Sequence, residues 1–570
     1  MLAETVINSG DTAWVLISAG LVLFMVPGLA FFYAGLVRGS SALVMLQQNL
    51  VPLGLVSITW IVFGYSFAFS GDWGSGFLGD LKLFGLQDIH TAAAPGFHLI
   101  EGAVAVPTLA FVAYQMMFAI ITPALITGAT ANRLKPLGWA VLLVLWSIIV
   151  YPPIAHWLFN PEGWLALRGA QDWAGGIVVH ASAGAAALAI LLVVGKRPGW
   201  PNAEAVPHSV PLALIGAGIL WFGWFGFNAG DGLAADGVAA QALINTHIAA
   251  AGGMVVWLVI ERYTEGKATA IGGITGAVGG LATITPCAGY VSTFSALAIG
   301  ALAGLICHFA LALKSIFKFD DALDVIAVHF VGGILGSLLL GLFAEKAINP
   351  IGRDGLLFGG GLGLLGEQAL ALVVVIAFSF VVTWLIATGI EKTIGLKLAP
   401  KDQVNIDRRQ QGMDAYRYNA AFVDAGGAPQ SSGFDGGATV EGEKLAPNPG
   451  AQKHELITAV LQTIESEKLR EALLAAGAES IVVSEAHVSA GDSDSLKFRG
   501  QRNDVVFAER LRVEVLAPSD RTQAVLDAIN RHSLGRRSGF VQQSAEPLSG
   551  PRAPESDADP FDPDHTEVKI

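Results

Sequence analysis

The chain has only two cysteines in 570 residues, Cys287 and Cys307, and each lies inside an apolar run, so neither a disulfide framework nor a cysteine-based zinc site is available to it. Both read as small core residues. Charge is scarce too, at 14% of residues, and it is unevenly placed: residues 1–400 hold 35 of the Asp, Glu, Lys and Arg side chains and residues 401–570 hold 46. The chain therefore reads as a membrane domain followed by a soluble one. It has no basic cluster, and its net charge of −13 is spread over both parts, so no nucleic-acid partner is expected. Glu4 and Asp11 stand where a secretory signal would carry basic residues, so the first apolar run reads as a retained helix.

What the sequence does have is apolar length. Runs of bilayer-spanning length recur over 13–36, 42–69, 105–129, 137–158, 174–194, 209–229, 238–260, 268–288, 291–313, 323–343 and 366–390, about eleven spans. An odd number puts the termini on opposite sides. Arg38, Arg133, Lys135, Lys196, Arg197, Arg262, Lys267, Lys314, Lys318, Lys392 and Lys397 all fall on one set of alternate connections, and only Lys82, Arg168, Lys346 and Arg353 on the other. The positive-inside rule makes the richer set cytoplasmic, with the N-terminus outside and the C-terminus inside the cytoplasmic membrane. Runs of small residues such as Gly272-Gly273-Ile-Thr-Gly276 and Gly332-Gly333-Ile-Leu-Gly336 predict closely packed helices around a narrow conduit.

Two of these apolar segments bury a histidine: Asp172-Trp-Ala-Gly-Gly-Ile-Val-Val-His180 and Asp324-Val-Ile-Ala-Val-His329. One histidine in an apolar helix is ordinarily a packed residue bonded to a carbonyl. An ionisable side chain in each half, with an aspartate upstream of both, points instead to a solute path near the bilayer midplane of an inverted-repeat transporter. A carboxylate at the start of such a run can cap backbone N–H groups or attract a cation, and Asp172 reads as a cap. Asp80, Asp88 and Glu101 are expected to be solvated in an outer loop. No nucleophile or metal constellation accompanies the histidines, so an enzyme is not expected.

Several motifs resemble one family: Phe31-Phe-Tyr-Ala-Gly35-Leu-Val-Arg38-Gly39, Pro152-Pro-Ile-Ala-His156, Ala174-Gly-Gly-Ile-Val-Val-His180, Trp221-Phe-Gly-Trp224-Phe-Gly-Phe227-Asn-Ala-Gly230 and Ala282-Thr-Ile-Thr-Pro286. Together they resemble the ammonium transporter (Amt/Rh) family from about residue 12 to 420. The resemblance implies a homotrimer whose protomers are eleven-helix inverted repeats in membrane lipid, each with its own pore for ammonium or ammonia. By position, Phe118 and Phe227 resemble the stacked rings that close the outer mouth, His180 and His329 the twin pore histidines, Asp172 a structural aspartate and Trp224 a pore-wall tryptophan. Two departures stand at the mouth: Phe159 where the family usually has tryptophan, and Asp231 where serine usually follows Phe-Asn-Ala-Gly. A rival reading is a receptor whose altered mouth binds the ion and passes little current.

Residues 1–395 thus read as the membrane domain, 396–424 as a cytoplasmic regulatory segment, and 425–453, rich in Gly, Ser, Ala and Pro, as a flexible linker. From 454 to 543 the pattern turns globular: strands over 454–461, 479–488, 505–516 and 539–543, and helices over 466–476 and 520–531. That order is a ferredoxin-like split motif, so the fold class expected is an all-α polytopic membrane protein with a C-terminal α+β ferredoxin-like domain. Lys468-Leu-Arg-Glu-Ala-Leu473, Phe498-Arg-Gly500 and Arg512-Val-Glu-Val-Leu-Ala-Pro518 resemble a PII signalling domain. This implies a regulatory adenine nucleotide, ATP or ADP, or a cyclic adenine dinucleotide, with Gly535, Arg536 and Arg537 donating hydrogen bonds to its phosphate. Asp492 in place of a glutamine argues against 2-oxoglutarate, and Phe498 in place of a tyrosine against uridylylation. Residues 544–570 read as a disordered tail.

Overall fold

In a bilayer the backbone must satisfy its own hydrogen bonds, and helices do so within each segment. The computed structural model of the protein describes residues 7–87, 89, 106–201, 207–403, 406–413 and 415–416, then 454–461, 463–464, 466–488, 495–498, 501–504, 508–534 and 538–545. Its membrane part consists of α1 (Ser9–Leu36), α2 (Gly39–Phe69), α3 (Thr108–Ala129), α4 (Pro136–Arg168), α5 (Gly176–Val194), α6 (Val210–Gly232), α7 (Gly237–Thr264), α8 (Ala270–Ile284), α9 (Thr293–Ile316), α10 (Ile326–Phe343) and α11 (Gly363–Thr393). Ten of these are long and apolar enough to cross a membrane. The exception is α8, at 15 residues, which ends ahead of Pro286. The outward surface carries Leu16, Phe24, Ile58, Phe222, Val259, Phe309 and Val373, all exposed, as a surface facing lipid or another apolar partner requires.

Local chemistry sets the helix starts. Asn8 Oδ1 accepts the N–H groups of Gly10 and Asp11 ahead of α1, Asp236 that of Ala239 in α7, and Thr269 Oγ1 that of Gly272 in α8. The cap of α2 comes from far along the chain: Asp407 is fully buried, and its two carboxylate oxygens each accept one N–H, from Leu43 and Val44, at 2.9 Å. Arg133, after α3, and Arg197, after α5, converge on the buried carboxylate of Asp320, at 3.6 and 2.6 Å. Burial pushes the Asp320 carboxyl up, but the two guanidinium groups outweigh it and hold the group below its ordinary range.

In the connection after α2, Asp80 is engaged rather than simply solvated. It accepts the hydroxyl of Ser70 and the N–H of Lys82 and pairs with the Lys82 ammonium at 2.8 Å. Its neighbours in the expected outer loop, Asp88 and Glu101, lie outside the described residues. Both cysteines are free and buried, and Cys287 Sγ donates to Gly336 O at 3.1 Å.

The chain divides into two compact units near residue 428. The second contains β1 (His454–Leu461), β2 (Ser480–Val488), β3 (Ala508–Pro518) and β4 (Ser538–Ala545), with helices Ser466–Ala475 and Thr522–His532 between β1 and β2 and between β3 and β4. The sheet order is β2-β3-β1-β4, every neighbouring pair antiparallel, with Leu456 opposite Leu516 and Val483 opposite Val513. Alternate residues Ile457, Ala459, Val513, Val515 and Ala517 face one core with Leu469, Leu473, Val525, Ala528 and Ile529 from the helices. Gly535, Arg536 and Arg537, the expected phosphate-binding residues, lie outside the described residues.

Candidate functional site

The site forms where α5 and α10 begin. Both start as π-helical turns, Gly176–Ala181 and Ile326–Phe330, and each turn carries one of the two histidines. Such turns insert one extra residue and are frequent at functional sites, although a third, Trp60–Gly64, lies within α2 and carries neither histidine. Their open N–H groups have carboxylate partners. Asp172 Oδ1 accepts from Gly175 and Gly176 at 3.1 and 2.6 Å, and Oδ2 from Ile177 and Val178 at 2.8 and 2.9 Å. Gly175 makes the turn beneath this cradle with φ of 107°, a conformation that disfavours a side chain.

In the second half the matching carboxylate is Asp321, not Asp324. Asp321 Oδ2 accepts the Ile326 N–H at 2.7 Å, and the step from Asp321 to His329 equals that from Asp172 to His180. Asp324 is instead paired with Lys314 at 3.1 Å. The equal spacing was the available signal. Asp324 masks that signal because it stands closer to the apolar run.

The two histidines meet. His329 Nδ1 lies 3.3 Å from His180 Nδ1, with ring centroids 5.2 Å apart and planes 23° from parallel. This needs backbones that nearly touch. A Cβ on Gly333 would sit 2.6 Å from Gly176 O and 2.9 Å from His180 Cβ, and one on Gly184 would sit 2.3 Å from Phe330 Cβ, so α5 and α10 can close around the pair only with glycine there.

Aromatic rings continue from the histidines. His180 stacks at 5.6 Å on Trp224 and 6.2 Å on Phe227, and Phe227 meets Phe118 at 4.4 Å. Trp224 is fixed by its indole N–H, which donates to Thr285 Oγ1 at 3.0 Å, a contact the sequence alone did not reveal. Phe118 and Phe227 are both fully buried. Phe159 approaches Phe118 edge-on at 6.5 Å, partly buried. Asp231 lies in the turn Gly230–Gly232 that ends the helix bearing Phe227, and no hydrogen bond or ion pair to it is found among the described residues.

Behind the stack runs one narrow cavity lined by Met25, Phe32, Leu125, His180, Trp224, Phe227, Val278 and His329, among others. About 10 Å³ of it is open to the centre of a water-sized sphere, roughly the space of one water or ammonia molecule. Its walls are otherwise apolar, so a bare ion would enter uncompensated. The histidine pair changes that chemistry. An Nδ1–Nδ1 hydrogen bond needs one donor and one acceptor, so in the neutral pair one ring has a bare Nε2 and the other an Nε2–H. The pair can therefore accept a proton on one side and release one on the other. His180 Nε2 is buried and makes no hydrogen bond within the protein.

Comparison with known proteins follows the same lines. The pattern of the Ammonium Transporter Family matches residues 13–416. The chain is 43% identical over 436 residues to an ammonium transporter of Mycobacterium tuberculosis, covering 73% of this chain and 91% of that one. It is 42% identical over 410 residues to ammonium transporter Amt1 of Archaeoglobus fulgidus, covering 72% and 100%. The crystal structure of Candida albicans Mep2 superposes with a TM-score of 0.64 at 35% identity, covering 70% of this chain and 88% of that one.

Proposed function

We propose that this chain, which belongs to the ammonium transporter family, conducts ammonium or ammonia across the cytoplasmic membrane through the cavity that His180 and His329 line. The observation that carries this reading is the histidine pair itself: two ionisable rings in hydrogen-bond contact inside an otherwise apolar conduit behind a buried phenylalanine stack. Ammonium recruited near Asp231 and the aromatic faces sheds water and gives a proton to the imidazole pair, which releases a proton on the far side as ammonia continues, so that one net charge crosses and the pair is restored. K⁺ has no proton to give, so selectivity rests on proton chemistry as well as on size.

The assembly that fits the family is a homotrimer in membrane lipid, with the N-terminus outside and the C-terminal region in the cytoplasm. The strand order β2-β3-β1-β4 with two interposed helices supports a ferredoxin-like, PII-like second domain. An adenine nucleotide bound near Gly535, Arg536 and Arg537 would then regulate the channel by changing how this tethered domain docks. Ammonium-evoked current in reconstituted liposomes tests transport and regulation together. Intact protein should carry current that responds to ATP, ADP or a cyclic adenine dinucleotide, and deletion of residues 454–570 should abolish the response. No current from intact protein under any nucleotide would favour a receptor. The same current and response after deletion would remove the second domain as a gate.

A further inference from the structure

A second cavity lies apart from the histidine pair, between α7, α8, α9 and the turn before α10. It is lined by Trp257, Glu261, Glu265, Thr275, His308 and Asp324, among others, and again about 10 Å³ is open to the centre of a water-sized sphere. His308 is 8% exposed, its ring stands edge-to-face on Trp257 at 5.0 Å, and its Nδ1 is buried without a hydrogen-bond partner. Leaving a buried ring nitrogen unmet is costly, about 1–3 kcal/mol, unless something else meets it. Glu261 accepts the N–H and hydroxyl of Thr269 at 2.7 and 2.8 Å, which leaves lone pairs on both carboxylate oxygens. Gly272 is what admits that carboxylate, since a Cβ there would stand 2.3 Å from Glu261 Oε2. Lys314 pairs with Asp324, another acidic residue of the lining.

We infer that this cavity is a second cation site, in which His308 Nδ1 and the Glu261 carboxylate accept N–H groups of one ammonium ion. The size excludes a hydrated ion or a larger amine, and a ring nitrogen and a carboxylate that both accept select a cation that donates in several directions. The choice of ammonium over other small N–H cations rests on the transport reading.

The test is a titration of full-length protein carrying isotope-labelled histidine, followed by nuclear magnetic resonance, with ammonium chloride and separately with sodium chloride. The His308→Phe variant keeps a ring against Trp257 and identifies the His308 signal by its loss. That signal should shift saturably with ammonium and not with sodium, and Glu261→Gln should raise the half-saturating concentration by about tenfold, the worth of one charge-assisted hydrogen bond. An equal response to both salts, or no saturable response because water alone fills the cavity, overturns the site. The liposome current is a separate readout. Robust current with a silent His308 sinks the site and spares the transport reading, whereas a saturable His308 response without current does the reverse.

Discussion

His180 and His329 are 149 residues apart in sequence, and their Nδ1 atoms are 3.3 Å apart in the fold. Each is delivered by a π-helical turn whose N–H groups are held by an aspartate, and glycine at 184 and 333 removes the bulk that would hold the turns apart. The pair is therefore a product of backbone engineering in both halves, and the predictions separate its supports from its chemistry.

Asp172→Asn should act through stability. An amide offers one acceptor oxygen and turns its NH₂ toward N–H groups, so two of the four bonds from residues 175–178 are lost. The expected cost is about 3 kcal/mol, seen as a lower Tm together with lost current. An unchanged Tm with lost current would mean that Asp172 contacts the cation directly.

Asp231→Ser should weaken recruitment. A unit charge beside partly desolvated aromatic faces is worth about 1 kcal/mol or more relative to a hydroxyl dipole, so apparent ammonium affinity should fall roughly fivefold while maximal current changes less. Affinity that holds or improves in a concentration series of evoked currents would count against this role.

Asp407→Ala should loosen the segment after α11. Removing the carboxylate leaves the N–H groups of Leu43 and Val44 without their cap, at about 1–2 kcal/mol. Limited proteolysis should then cut beyond residue 406 faster than in the wild type, with the Tm of the helical bundle little changed. Equal cutting rates would show that other contacts, such as His208 Nε2 with the Tyr416 hydroxyl at 2.8 Å, suffice to hold the segment.

Much of this was legible because bilayer physics writes itself in composition: all eleven apolar runs coincide with helices, and both histidines could be singled out by their depth. The strands and helices of the second unit fall within a few residues of the pattern-based expectation, but their order across the sheet is a matter of pairing that periodicity does not encode. Partners remote in sequence were likewise hidden. Nothing local to Asp407 announces that it caps a helix starting near residue 42, and nothing near Thr285 announces that it fixes Trp224. Asp321 was missed for a different reason. Asp324 is the charge nearest the apolar run, whereas the cap follows the eight-residue spacing to the histidine.

The most direct test of the central claim is ammonium-evoked and K⁺-evoked current through liposomes carrying wild type, His180→Ala and His329→Ala. Loss of a positioned proton acceptor should lower ammonium current by on the order of tenfold or more, or else let K⁺ pass where the wild type excludes it. Ammonium current and K⁺ exclusion both unchanged in both variants would contradict the account, since the pair would then be packing and not the path.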